Sequence, residues 1–95
     1  MKFEWNEDKR QENLKKHGID FKDAHDIFNH PMKEELDLRE DYGEDRWIVL
    51  GLMYGQVVYA VYTERDDGQT IRFISIRKAL KNEREKYYQD CRNYE

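Results

Sequence analysis

In the middle of the chain, apolar and polar residues alternate with a period of two, as they do in strands that pack on a core. Ile48 and Leu50 fall on one side of this pattern and Val49 falls on the other. Turn signals rich in glycine and aspartate separate such stretches, as hairpin turns do. Three strands of an antiparallel meander are therefore predicted at residues 45–54, 57–63 and 70–76, with turns at residues 55–56 and 66–68.

On either side of the meander the pattern becomes helical. Asn6 is a suitable N-cap and Gly18 a suitable left-handed C-cap for a first helix, and an apolar stripe follows at helical spacing from Phe21 to Phe28. The predicted helices cover residues 6–17, 21–28 and 78–90. Shorter signals predict strands at residues 2–5 and 35–38, and residues 92–95 are expected to fray.

This grouping of helices and strands predicts an α+β fold in one domain of 95 residues. The expected architecture is a single antiparallel β-sheet with two N-terminal helices and one C-terminal helix, all packed on one face of the sheet. The opposite face is expected to lie open to solvent.

The bulk charge excludes a protein that coats nucleic acid over its whole surface, since the net charge is −4 and the sequence pI is about 5.4. A nucleic-acid role requires a local basic patch on this acidic body. The one cysteine, Cys91, allows no internal disulfide and suits a reducing cytoplasm. No signal peptide and no apolar run long enough to cross a bilayer are found, so a cytoplasmic location is predicted.

The strongest candidate for chemistry is the segment 71–79, which begins as a strand, passes directly into a helix and carries three cations. Arg72, Arg77 and Lys78 are suited to bind phosphate, because a guanidinium can hold two oxygens at once and an ammonium adds charge. Arginines beside apolar residues are more often solvated or paired with glutamate, so the pattern alone does not establish a site.

The first helix is polar almost all round, with Leu14 as its one apolar residue. Lys9, Asn13 and either Lys16 or His17 fall one above the other at helical spacing and form a stripe of donors. The helix is either a solvated surface element or an exposed site or partner surface, and the sequence supports the two interpretations about equally.

No metal or cofactor site is predicted. The three histidines, His17, His25 and His30, lack clustered cysteine or carboxylate partners at ligand spacing. His25 on the second helix is more typical of a packed or surface residue than of a ligand.

Together, these motifs resemble the BrnT family, the toxin half of bacterial type II toxin–antitoxin pairs. Each motif is short, but several occur in order over nearly the whole chain. Ile76 departs from the family pattern, which usually has a small residue there, and this departure removes no chemical group. The matching residues are Phe3, Trp5, Lys9, Asn13, Lys16, His17, Gly18, Phe21, Ala24, Phe28, Gly43, Glu44, Asp45, Arg46, Gly51, Tyr62, Thr63, Ile71, Arg72, Ile74, Ser75, Arg77, Lys78, Ala79, Glu83 and Tyr87.

The resemblance implies a fold and a function that composition does not show. It implies a RelE-like ribonuclease, with an antiparallel sheet flanked by helices, that cleaves RNA and arrests translation. It further implies neutralisation by a BrnA-type antitoxin with a ribbon-helix-helix part, in a toxin–antitoxin hetero-oligomer. That complex would repress its own operon, so operator DNA would be bound only through the antitoxin.

Cleavage of RNA without a metal requires a base for the 2′-hydroxyl, cations for the phosphorane oxygens and an acid for the leaving 5′-oxygen. We hypothesise that three arginines form the phosphate clamp, converging over one exposed side of the sheet near the end of the first helix. The clamp comprises Arg46, Arg72 and Arg77. His17 or Lys16 is the proton-transfer candidate, with Glu44 as an alternative base and Ser75 positioning the phosphate. Further substrate-binding candidates are Lys9, Asn13 and Lys78.

Two other function classes stay open on the sequence. A non-catalytic module that occupies the ribosome or a protein partner fits the acidic net charge better than an RNA enzyme does. A sequence-specific DNA binder is less well supported, because no predicted helix carries a dense basic face suited to a major groove.

Overall fold

The computed structural model describes residues 1–91 of the chain. In chain order its elements are strand β1 (Lys2–Trp5), helix α1 (Glu7–His17), a 3₁₀ helix (Phe21–Asn29), strand β2 (Lys33–Leu36), strand β3 (Trp47–Met53), strand β4 (Gln56–Arg65), strand β5 (Thr70–Lys78) and helix α2 (Lys81–Cys91). The predicted α+β class and the meander of β3, β4 and β5 are confirmed. The expected fraying of residues 92–95 lies outside the described residues.

Both predicted caps of the first helix are confirmed. The Asn6 side chain accepts a hydrogen bond from the backbone N–H of Lys9 at 3.1 Å, which satisfies one of the free donors at the helix start. Gly18 adopts a left-handed conformation with φ of 72°, and its N–H donates to the carbonyl of Leu14 at 2.8 Å.

The sheet is mixed, which corrects the prediction of a single antiparallel sheet. Its strand order is β1-β5-β4-β3-β2, and β1 runs parallel to β5, with Lys2 opposite Thr70 and Trp5 opposite Phe73. The other three pairings are antiparallel. Parallel neighbours need a long crossover. Because the whole intervening chain forms that crossover here, no local turn signal marks the pairing.

One face of the sheet carries the main core. Alternate residues of the strands point to this face, and α1 and the 3₁₀ helix lie along it. Phe73 in β5 meets Phe3 at a ring distance of 5.8 Å and Phe21 at 6.2 Å, so β1, β5 and the 3₁₀ helix share one aromatic cluster. We call this side of the sheet the core face.

The opposite face is partly covered by α2, which corrects the prediction that all helices pack on one side. Tyr87 and Cys91 of α2 are buried against Leu50 and Val57 in a second, smaller cluster. Ile48, Leu50 and Leu52 lie on this side, as the period of two predicted. We call it the α2 face.

Some strands and helices begin or end at residues other than those predicted, because hydrogen-bonded pairing between strands sets where they end. β5 continues to Lys78, which lies opposite Val58, so α2 begins at Lys81 and not at residue 78. Glu83 caps the start of α2 by accepting a hydrogen bond from the N–H of Leu80 at 2.7 Å. The weak strand predicted at residues 35–38 lies two residues earlier, as β2, where Glu34 pairs with Val49 of β3.

None of the helices within residues 1–91 is both long enough and apolar enough to cross a membrane.

Candidate functional site

Three arginines singled out in the sequence lie on the α2 face. Arg77 is opposite Tyr59, and Arg72 is opposite Thr63, four residues further along the same side of β4. Arg46 directly precedes β3 and falls on the side of Ile48 by the same alternation, next to Thr63, whose hydroxyl donates to the Asp45 carbonyl at 2.7 Å. The predicted shared face is therefore present.

Each of these arginines has a carboxylate partner, so they do not close into one clamp. Arg77 donates to both oxygens of Glu83, at 2.8 and 3.0 Å. The Arg46 Nε donates to Glu44 at 3.3 Å, and the Arg72 Nη1 donates to Glu4 on the neighbouring strand. The acidic partners offset the repulsion between the cations and keep the guanidinium groups apart.

Ion pairing leaves these arginines accessible. The exposed fraction of the side chain is 24% for Arg46, 29% for Arg72 and 33% for Arg77. A guanidinium carries five N–H donors, and a single carboxylate does not engage all of them. Partly exposed pairs of this kind contribute only about 0 to 1 kcal/mol to stability, so a phosphate can compete with the carboxylate or share the cation with it.

The pair between Arg77 and Glu83 is the most strongly coupled of the three. The hydrogen bond from Arg77 lowers the pKa of the Glu83 carboxyl, and the capping bond from Leu80 lowers it further. The same pair raises the pKa of Arg77. Glu83 is therefore held ionised, which suits it to orient Arg77 and makes it a poor proton donor.

A fourth arginine, linked to Arg46 through Asp37 and Tyr42, was missed by the sequence reasoning. Arg39 donates from Nε and Nη2 to the two oxygens of Asp37, both at 2.8 Å, and 59% of its side chain is exposed. Asp37 links it to Arg46, because the backbone N–H of Asp37 donates to the Arg46 carbonyl at 2.7 Å. The segment was interpreted as a weak acidic strand, and the one available signal was the spacing of Asp37 and Arg39, two residues apart.

Tyrosine rings support the arginines of this face. The Arg77 guanidinium carbon lies 3.9 Å from the ring centroid of Tyr59, and that of Arg46 lies 4.2 Å from the ring centroid of Tyr42. Such contacts hold a cation over an aromatic face and restrict its motion. The face therefore combines fixed guanidinium groups with aromatic surface, which is the combination that single-stranded nucleic acid binds.

Residues of α1 form a second group beside β5. A shallow cavity of about 240 Å³ lies between the helix and the strand. It is lined by Lys9, Glu12, Asn13, Lys16, His17, Ile74 and Ser75. The predicted stripe of donors on α1 is thus brought against the strand that carries Arg72 and Arg77.

Asn13 has a structural part in this group. It is 7% exposed, and its side-chain amide donates to the carbonyls of Ile19 at 3.0 Å and Ile76 at 2.9 Å, while its oxygen accepts from the N–H of Ile76 at 3.0 Å. β1 pairs with β5 only as far as Trp5, opposite Phe73. Asn13 therefore takes the place of a neighbouring strand at Ile76, and its amide is occupied.

Ser75 joins the two groups. It lies on β5 between Arg72 and Arg77, opposite Val61 and on the α2 face, and it also lines the cavity beside His17. The register of β4 and β5 shifts just before this point, between Val61 and Tyr62. Such bulges redirect side chains near functional sites.

The remaining predicted residues lie at the margins of the site. Lys78 is exposed at the end of β5, and its carbonyl accepts from Arg77 at 3.1 Å. Glu44 lies between Arg46 at 3.3 Å and Arg65 at 3.9 Å, so two cations share its carboxylate. Within residues 1–91, no three His, Cys, Asp or Glu side chains form a group that could hold a metal ion.

Comparison with known proteins shows the family to which the chain belongs. A family model described as the ribonuclease toxin, BrnT, of a type II toxin–antitoxin system matches residues 5–83. The crystal structure of the Brucella abortus ribonuclease toxin, BrnT, matches with a TM-score of 0.66 and 28% sequence identity, over 85% of this chain and 99% of that one. No curated protein sequence matches significantly. The chain belongs to the BrnT family of ribonuclease toxins of type II toxin–antitoxin systems.

Proposed function

We propose that this toxin cleaves RNA without a metal ion, on the α2 face where it adjoins the end of α1. The observation that carries the proposal is the placement of Arg46, Arg72 and Arg77 on one face, with Ser75 between the last two. His17 and Lys16 line the adjoining cavity, which reaches Ser75 on the strand that carries Arg72 and Arg77. This arrangement joins phosphate-binding cations to groups able to move a proton.

Each group has a defined role in the proposed reaction. The arginines hold the scissile phosphate and its neighbours along the RNA backbone, and the arginine at the scissile phosphate stabilises the extra negative charge of the phosphorane. His17 or Lys16 transfers a proton at the 2′-hydroxyl or at the leaving 5′-oxygen, and Ser75 orients the phosphate. Glu44 is the alternative base, and its contact with Arg46 holds it beside the phosphate-binding cations.

Family membership implies an antitoxin, and we propose that it is of the BrnA type, with a ribbon-helix-helix part that binds the operator. Such an antitoxin neutralises the toxin by covering the arginines and the polar surface of α1, in a hetero-oligomer that represses its own operon. A relation to RelE-type ribonucleases, arrest of translation and a cytoplasmic location belong to the same proposal.

The decisive experiment compares three single variants with a charge-matched control. Arg72→Ala, Arg77→Ala and His17→Ala are tested for growth arrest and for cleavage of purified RNA, beside Lys22→Ala on the 3₁₀ helix. Loss of one fixed cation should reduce the cleavage rate about 100- to 1,000-fold. Lys22→Ala should cleave like the unmodified toxin. Full cleavage by all three folded variants would contradict the assignment.

A non-catalytic binding module is the second candidate, because every arginine of the site is already paired with a carboxylate. Purified toxin incubated with RNA or with translating ribosomes distinguishes the two when the cut ends are mapped. Cuts that disappear in Arg72→Ala and Arg77→Ala support the enzyme. Arrest of translation without any cut supports the binding module.

A further inference from the structure

The segment from residue 37 to residue 46 is organised by one buried carboxylate. The Asp37 side chain is 1% exposed and accepts four hydrogen bonds. Three come from Arg39, through its backbone N–H, Nε and Nη2, and one comes from the Tyr42 hydroxyl at 3.1 Å. A buried carboxylate with this many donors is fully satisfied and fixes its partners in place.

The same carboxylate controls a second arginine indirectly. Tyr42 donates its hydroxyl to Asp37, and its ring lies beneath the guanidinium of Arg46 at 4.2 Å. The backbone N–H of Asp37 also donates to the carbonyl of Arg46 at 2.7 Å, which closes the loop. Two cations at the two ends of the loop thus depend on Asp37.

Arg39 is held in position and yet exposed. Its pairing with Asp37 raises its own pKa and lowers that of Asp37, so the pair stays charged. At 59%, its side chain has a larger exposed fraction than that of Arg46, Arg72 or Arg77. It adds an exposed positive charge beside Arg46, to which Asp37 and Tyr42 link it.

We propose that Arg39 binds an RNA phosphate next to the one held at Arg46, and that Asp37 is the positioning residue for both Arg39 and Arg46. The inference rests on the proposed function and extends it, because it assigns a longer track of RNA backbone to the α2 face. A surface arginine fixed by a buried carboxylate loses little rotamer freedom when a phosphate arrives, which favours binding.

The test uses single-stranded RNA with 2′-O-methyl groups, which cannot be cleaved because the nucleophilic hydroxyl is blocked. Its Kd is measured at several salt concentrations for the unmodified toxin, Arg39→Ala, Arg39→Lys and Lys22→Ala. Arg39→Ala should weaken binding roughly five- to tenfold at low salt and reduce the salt slope by about 0.7. Arg39→Lys should restore the slope, and Lys22→Ala should leave it unchanged.

The role of Asp37 is tested with a double-mutant cycle that combines substitutions of Asp37 and Arg39. If Asp37 acts through Arg39, Asp37→Asn should weaken RNA binding. The double variant Asp37→Asn, Arg39→Ala should then lose less binding free energy than the sum of the losses in the two single variants. A purely structural role gives additive losses. Tyr42→Phe keeps the ring and removes the hydrogen bond to Asp37, so it tests the path to Arg46 if Asp37→Asn does not fold.

The outcomes separate this inference from the proposed function. If the toxin cleaves RNA and Arg39→Ala binds the methylated RNA as Lys22→Ala does, the inference is wrong and the proposed function stands. Additive losses, or no loss in Tyr42→Phe when Asp37→Asn does not fold, overturn the role of Asp37. If the unmodified toxin neither binds nor cleaves RNA, both proposals fail.

Discussion

Single polar side chains replace missing backbone partners in this toxin. Asn13 satisfies the N–H and the carbonyl of Ile76 where β1 no longer reaches, and it also binds the carbonyl of Ile19. Asp37 has a related part in the segment that follows β2, where its carboxylate accepts from the backbone N–H of Arg39 and also holds the side chains of Arg39 and Tyr42. In both cases one buried side chain orders a segment that has no regular pairing of its own.

Replacement of Asn13 by alanine should destabilise the protein. The change leaves two carbonyls and one N–H without their partner, which predicts a loss of roughly 2 to 4 kcal/mol in the free energy of unfolding. Urea unfolding should show a lower urea concentration at the midpoint of the transition and an unchanged m-value. Lys9→Ala, one turn earlier and exposed, should stay within about 0.5 kcal/mol of the unmodified toxin. A loss below about 1 kcal/mol for Asn13→Ala would show that these bonds are replaceable.

The Asp37 carboxylate predicts a pH-dependent contribution to stability. Hydrogen bonds from Arg39 lower its folded-state pKa, so the ionised form is bound more strongly in the folded protein. The stability difference between the unmodified toxin and Asp37→Asn should be constant from pH 8 to about 5. It should shrink as the pH falls below about 4, the ordinary pKa of aspartate.

Urea unfolding at each pH measures this difference. Asp23→Asn, an exposed aspartate on the 3₁₀ helix, serves as the matched control. A difference for Asp37→Asn that stays constant down to pH 3, or that grows in acid, would contradict the assigned ion pair.

At the scale of elements, the sheet depends on close approach between β3 and the 3₁₀ helix. A Cβ added to Gly51 would lie 2.8 Å from Cγ2 of Ile27, a buried branched carbon that cannot rotate aside freely. Glycine therefore lets the 3₁₀ helix lie directly on the strand, which fixes the position of the core against the sheet.

Gly51→Ala should destabilise the toxin by roughly 1 to 3 kcal/mol through overpacking. The measurement is chemical unfolding of Gly51→Ala, Ile27→Ala and the double variant. Because Ile27→Ala removes Cγ2, the double variant should lose less free energy of unfolding than the sum of the losses in the two single variants. Strictly additive losses would mean that the contact with Ile27 is not the source of the strain.

Local sequence patterns predicted the positions of the strands and helices better than they predicted which strands pair with one another. The alternation around Ile48 and the signals at Asn6 and Gly18 were sufficient for β3 and α1, because each depends on neighbours within a few residues. The pairing of β1 with β5 was not predictable, because its partners lie far apart in sequence. Arg39 was missed for a related reason, since its link to Arg46 through Asp37 and Tyr42 exists only in the folded segment.

At the scale of the whole molecule, an acidic protein presents one face rich in arginine. The net charge is −4, whereas Arg46, Arg72 and Arg77 lie on the α2 face and the exposed Arg39 is linked to Arg46. RNA binding should therefore depend on local contacts and not on bulk charge. Each phosphate contact releases counterions, which gives binding a measurable dependence on salt.

Four phosphate contacts predict a slope of about −3 for log K against log salt on single-stranded RNA, so an increase from about 50 to about 200 mM should weaken binding about 50-fold. Titration of methylated RNA at several salt concentrations measures the slope. Lys22→Glu, which makes the net charge more negative by two on the core-face side of the sheet, should not change the slope appreciably. A slope near zero would mean that the α2 face does not hold the RNA backbone.

The parallel pairing of β1 with β5 also constrains the order in which the sheet can close during synthesis. The first strand leaves the ribosome long before β5, which carries Arg72 and Arg77. A nascent chain therefore cannot set Arg72 beside Glu4 until residues 70–73 have left the ribosome. Closure of this edge of the sheet thus has to follow the synthesis of α1, the 3₁₀ helix and the strands β2 to β4.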